Sequence, residues 1–164
     1  MRFWLAFILL AATSTQAAEL EGCAAAEVTD SHGQKITFWQ HKFEDGARDL
    51  VIAQSPSDLK RVTFSHAQSC YQTLAIAEGQ NGKERWGWHL AWADAQKLYY
   101  ARMDGEAWVS SVPKKIAAEN VHELRFNQDK NVLTLSWQAA GGEYYMQSDD
   151  EGRSWQAPVK TSTD

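Results

Sequence analysis

The sequence predicts an all-β domain made of four-stranded antiparallel repeats. Three observations lead there. Short stretches of alternating apolar and polar residues are separated by turn-forming clusters at intervals of roughly 8–12 residues. The three- and four-residue apolar spacing of an amphipathic helix is nearly absent beyond residue 18. A tryptophan–tyrosine pattern recurs at a fixed distance in the C-terminal half.

Residues 1–17 stand apart. Arg2 opens them, an apolar run from Phe3 to Ala12 follows, and small residues at Thr15 and Ala17 complete the pattern of a cleavable secretory leader. The run is shorter than the roughly 20 residues a bilayer-spanning helix needs. The expectation is an exported protein, periplasmic or secreted, with one domain at 18–164 and no transmembrane segment in it. The leader carries Arg2 and no acid, so its loss leaves the chain more acidic than the net −5 of the whole sequence. No stretch concentrates Lys and Arg, which argues against nucleic acid and anionic membrane surfaces as partners.

The chain holds two cysteines, Cys23 and Cys70. In an oxidising compartment such a pair reads most simply as a disulfide. A lipid anchor on Cys23 is the rival reading, opposed by Glu21 close before it and by its distance from the apolar run.

Strands are expected at 35–40, 50–53, 61–65, 71–77, 86–92, 97–102, 122–126, 132–138 and 144–147. The turn clusters between them include Asp30-Ser31-His32-Gly33, Glu44-Asp45-Gly46, Gly79-Gln80-Asn81-Gly82, Asn127-Gln128-Asp129 and Gly141-Gly142. Trp92 and Trp137 are 45 residues apart (137 − 92), and so are Tyr99 and Tyr144, and Tyr100 and Tyr145. Trp39 begins a fainter third copy that ends near Asp58. A period of about 40–50 residues with four strands per unit is the size of one propeller blade.

Ser148-x-Asp150-x-Gly152-x-x-Trp155 matches the Asp box, S-x-D-x-G-x-x-W, at each defined position. The two polar side chains can hold a turn by bonding nearby amides. Gly152 can take positive φ, and Trp155 returns an apolar ring to the strand pair. The motif reads as a structural staple and not as catalytic machinery. The segment resembles the Asp-box (BNR repeat) proteins, the group that includes sialidases and many non-sialidase relatives. The resemblance implies a partial sialidase-like β-propeller of about three blades. It also implies that two chains could pair head to tail into a six-bladed ring.

Sialidases clamp a carboxylate with three arginines and carry a Phe/Tyr-Arg-Ile-Pro motif, which this chain lacks. No catalytic residue is therefore transferred. No histidine or cysteine spacing suits a metal, and no cofactor motif occurs. The ligand-binding candidates are Trp86 and Trp88, as an aromatic platform, and Arg102 and Arg125, which lie within expected strands. Burial of both rings as the apolar face of a central strand, alternating with Leu90 and Trp92, is the alternative for that pair. The functional expectation is a non-catalytic exported module that binds a glycan or another envelope protein. The alternative is a sialidase-like glycoside hydrolase whose site is completed by a second chain, with Arg102 and Arg125 converging on it.

Overall fold

In the computed structural model the described residues are 23, 25–55, 58–64, 67–81, 84–94, 97–104 and 110–161. The leader at 1–17, the Trp86 side chain, and Gly105 and Trp108 of the second repeat fall outside them.

The described residues form twelve strands and no helix. They are β1 (Ala25–Thr29), β2 (Lys35–Lys42), β3 (Arg48–Ser55), β4 (Asp58–Arg61), β5 (Thr73–Asn81), β6 (Glu84–Ala93), β7 (Lys97–Asp104), β8 (Lys114–Ala117), β9 (His122–Asp129), β10 (Val132–Ala139), β11 (Gly142–Ser148) and β12 (Val159–Lys160). They pair in sequence order into three four-stranded antiparallel sheets: β1–β4, β5–β8 and β9–β12. The first strands of consecutive sheets lie side by side, β1 with β5 and β5 with β9.

Sheet 2 is the middle layer, and the two-residue period of its strands explains why. Trp88, Leu90 and Trp92 of β6, with Ala101 and Met103 of β7, pack on Ile36, Phe38, Leu50 and Ile52 of sheet 1. The intervening Ala91 and Ala93, with Leu98 and Tyr100, pack on Leu124, Leu135, Trp137 and Met146 of sheet 3. Every residue from Gly87 to Ala93 is consequently buried. Leu90 is fully buried, and a side chain of that size contributes roughly 1.5–3 kcal/mol when removed from water.

The 45-residue pattern has a physical counterpart. Trp92 pairs across strands with Tyr99, and Trp137 with Tyr144. Their rings stack at 5.6 Å and 6.1 Å, with interplanar angles of 9° and 14°. In sheet 1 the position opposite Trp39 is Val51, so that copy has no ring pair.

The hairpins differ from the sequence expectation in three places. The strand expected at 61–65 is displaced to Asp58–Arg61. Beyond it the amides of Val62 and Thr63 both donate to the Leu50 carbonyl, while Leu50 N–H donates to Thr63 Oγ1, so the chain leaves the ladder. Gly79 to Asn81 belong to β5 rather than to a turn. A register shift after Gly79, which pairs with Gly87, lets both strands continue. Asn127 to Asp129 likewise complete β9, and the chain reverses at Lys130 and Asn131, with Lys130 at φ 54°.

The expected disulfide is present. Cys23 and Cys70 are bonded across 47 residues and fasten the segment before β1 to the entry of β5. A buried charge also fixes sheet 1. Asp49 is fully buried. It accepts from Thr63 Oγ1 at 3.1 Å and from the Arg61 guanidinium, which lies over the rings of Phe43 and Phe64.

Candidate functional site

Trp88 is not a surface platform. It is 5 % exposed and meets Phe38 edge-on at 5.9 Å. The alternation that made it conspicuous is that of a strand buried on both faces. Arg102 and Arg125 occupy different surfaces. Arg102 shares the face of β7 that carries Tyr100 and points toward sheet 3. Arg125 is on the outer face of sheet 3, opposite Ser136, and pairs with Glu123 at 3.1 Å. The two do not meet within one chain.

The Asp-box residues form a closed hydrogen-bonded turn. Ser148 Oγ donates to Asp150 Oδ1 at 2.8 Å and accepts from the Gly152 amide at 2.8 Å. The Ser154 amide and hydroxyl both donate to the Asp150 carboxylate, at 2.8 and 2.6 Å. These bonds, those of Ser154 foremost, hold the Asp150 carboxyl down at about 2. All of its strong contacts lie inside the turn, so it is positioned as a brace.

That turn docks on sheet 2. Gly152 takes φ +76°, and a Cβ there would stand 1.7 Å from Tyr100 Oη. The Trp155 ring meets Tyr100 edge-on at 4.8 Å. Tyr100 Oη lies 2.7 Å from His89 Nδ1, and His89 Nε2 faces Glu151 Oε2 at 3.5 Å. Glu151 is also bonded by Gln128 Nε2 at 3.3 Å. Burial, reinforced by the Arg102 charge, lowers the His89 pKa to about 3, so the imidazole is neutral across the physiological range. Burial also raises the Tyr100 phenol well above its ordinary value. This polar cluster joins sheets 2 and 3 and is closed to solvent at its centre, since His89 is fully buried. Residue spacing gave no sign of it: His89 is on β6 and Glu151 in the turn after β11, and only the fold brings them together.

An accessible site lies at the outer margin of the same two sheets. Two adjoining cavities of about 300 and 450 Å³ share Ala117 and Pro158 in their walls. The smaller is floored by Trp137 and Tyr144, with alanine methyls of Ala118, Ala139 and Ala140 around them. The larger runs past Met146 and Trp155 along β8. All four β8 residues, Lys114 to Ala117, line the pair of cavities. One face of a strand presents only alternate residues. The groove is therefore fronted by the strand's free edge. The opposite wall is the extended segment from Trp155 to Pro158, anchored where Gln156 N–H donates to the Gln147 carbonyl.

The groove is apolar within and charged at its rim. Trp137 is only 2 % exposed, and its ring face is covered by Tyr144. The site thus offers ring edges and methyl groups, without a free aromatic plane. Lys114 and Lys115 are exposed on one wall. Lys160, paired with Tyr144 across β11 and β12, is outside the lining, its Cε 3.1 Å from the place a Gly142 Cβ would occupy. Among the described residues no cluster of three or more His, Cys, Asp or Glu side chains has the geometry to hold a metal ion. No protein-family model, no curated protein and no solved structure matches this chain.

Proposed function

We propose that this chain is an exported binding module that recognises another protein of the cell envelope through the groove between β8 and the Trp155–Pro158 segment. One observation carries the reading: an apolar groove runs along a free strand edge, with its largest ring face already stacked. Sugar recognition uses open aromatic planes, whereas protein recognition uses apolar pockets beside free backbone groups. Export is supported by the leader pattern at 1–17 and agrees with the Cys23–Cys70 bridge. Among the described residues no helix is long and apolar enough to cross a membrane. A three-bladed Asp-box architecture is supported by the consecutive four-stranded sheets, the adjacency of β1, β5 and β9, and the stacked Trp–Tyr pairs.

A ring closed by a second chain would bury the outer face of sheet 3. Arg125, Thr134, Ser136, Gln138 and Tyr145 stand on that face, and desolvating such groups is costly without matched partners. The reading is accordingly of a chain that acts alone. A glycoside hydrolase completed by dimerisation draws less support, because it needs Arg102 and Arg125 on one pocket wall.

The test is site-specific photocrosslinking in living cells. A crosslinking residue at Ala140, on the groove rim, should trap one defined envelope protein. The same residue at Asn127, on the outer face of sheet 3, should not. Equal trapping from both positions, or from neither, would refute the groove as the docking site. Glycan-array binding lost on filling the groove would move the function to carbohydrate recognition.

A further inference from the structure

We infer that the groove takes an extended, acidic peptide segment, which adds to sheet 2 as a fifth strand along the free edge of β8. This rests on the binding-module reading above and specifies the partner's chemistry. Two observations point to it.

The first is the edge. Among the described residues β8 ends sheet 2 and pairs with β7 alone. Backbone N–H and C=O groups on the far side of an edge strand are a template for another strand. Here that side fronts the two cavities.

The second is charge. The chain is net acidic, yet Lys114 and Lys115 both line the groove, where Glu119 is the one acidic residue among the described lining. Neither lysine forms an ion pair among the described residues. Edge lysines commonly keep strands from unwanted pairing. Edge protection does not explain why the same strand fronts an apolar cavity walled by Met146, Trp155 and Pro158.

Strand periodicity adds a consequence. An added strand sends alternate side chains to opposite sides. On β8, Lys114 and Ile116 share the face toward sheet 3, and Lys115 and Ala117 the opposite face, so acidic side chains on either side of the added strand would meet a lysine. On the sheet 3 side its aliphatic side chains would also enter the cavity over Trp137 and Tyr144, where the walls are methyl-lined. The partner segment is therefore expected to carry acidic residues on both faces and aliphatic residues on one.

A random peptide library selected on the exported chain tests this directly. Selected peptides should combine Asp or Glu with aliphatic residues. In fluorescence anisotropy the Lys114→Glu/Lys115→Glu double variant should bind them about tenfold more weakly or worse. Both lysines are exposed, so the variant should keep the wild-type circular dichroism, and Lys115→Gln gives a milder check. Hydrogen exchange should slow at β8 amides when peptide is bound, which side-chain docking alone would not produce. Failure to enrich peptides, enrichment without acidic residues, undiminished binding by the charge-reversed variant, or unchanged β8 exchange would each overturn the inference. If Ala140 still traps one protein in cells, only the acidic-strand inference falls. If that trapping fails too, the binding-module reading falls with it.

Discussion

Replacing Gly152 with alanine should destabilise the domain far more than the same change at Gly46. Both glycines have nearly the same backbone, φ +76° and +81°. Left-handed backbone costs a non-glycine residue roughly 1–2 kcal/mol. That is the whole expected cost at Gly46, where nothing lies within 4 Å of the new methyl. At Gly152 the methyl would meet Tyr100 Oη at 1.7 Å and Cζ at 2.6 Å. Tyr100 is wedged between Trp155 and His89 and cannot swing aside without breaking its 2.7 Å bond to the imidazole. Overpacking of this kind costs about 1–3 kcal/mol, and a buried group left without its partner about 1–3 kcal/mol. The terms share one side chain and will not add fully. A total near 3–5 kcal/mol is expected for Gly152→Ala, against about 1–2 kcal/mol for Gly46→Ala. Urea unfolding of the two variants measures the difference. Equal losses would show that the Asp-box turn does not seat tightly on sheet 2, and the account of its role would be wrong.

His89 makes stability pH-dependent. Its folded pKa, near 3, is below the ordinary 6.5, so the unfolded chain binds the extra proton between those values. Stability should fall as pH drops from 6.5 toward 3, with a slope of up to about 1.4 kcal/mol per pH unit from this one group. In His89→Phe, denaturant titrations at pH 6 and pH 4 should lose that slope; an unchanged slope would place the acid sensitivity elsewhere. A Cys23→Ser/Cys70→Ser double variant should lose roughly 4 kcal/mol in the chain-entropy account of the 47-residue separation. The loss should vanish when both proteins are compared fully reduced.

The strands that form the cores were legible because alternation survives wherever one face is buried. β10 carries Leu133, Leu135 and Trp137 on one side, and its pattern alone defines it. The missed strands had no such face. β8 buries only Ile116, β12 buries nothing, and β1 alternates only between exposed and half-buried residues. They are held by backbone pairing to neighbours, which leaves no mark in side-chain type. This also explains why the groove was not foreseen, since its front wall is β8. The Asp box was readable as a braced turn because its bonds are local, spanning two to four residues. The docking of that turn on Tyr100 and His89 was not, because it depends on how two sheets meet. Trp88 shows the converse problem: a conspicuous aromatic in a strand has the same spacing whether it faces a ligand or a core.

The middle position of sheet 2 has a consequence for how the molecule can come apart. Among the described residues, strand contacts between sheets join sheet 1 to sheet 2 and sheet 2 to sheet 3, so the outer sheets are coupled through the sheet they share. Such a chain behaves as a linear array with nearest-neighbour coupling. Either outer sheet can be lost while the remaining pair keeps one intact core, but loss of the middle sheet removes both cores at once. Fraying therefore proceeds from the two ends inward, and β6, covered on both faces, is the last segment to open. The groove lies along one of the two seams in this array, where sheet 3 meets sheet 2. A partner strand bridging β8 to the Trp155–Pro158 segment would close that seam and couple ligand occupancy to the integrity of the whole array.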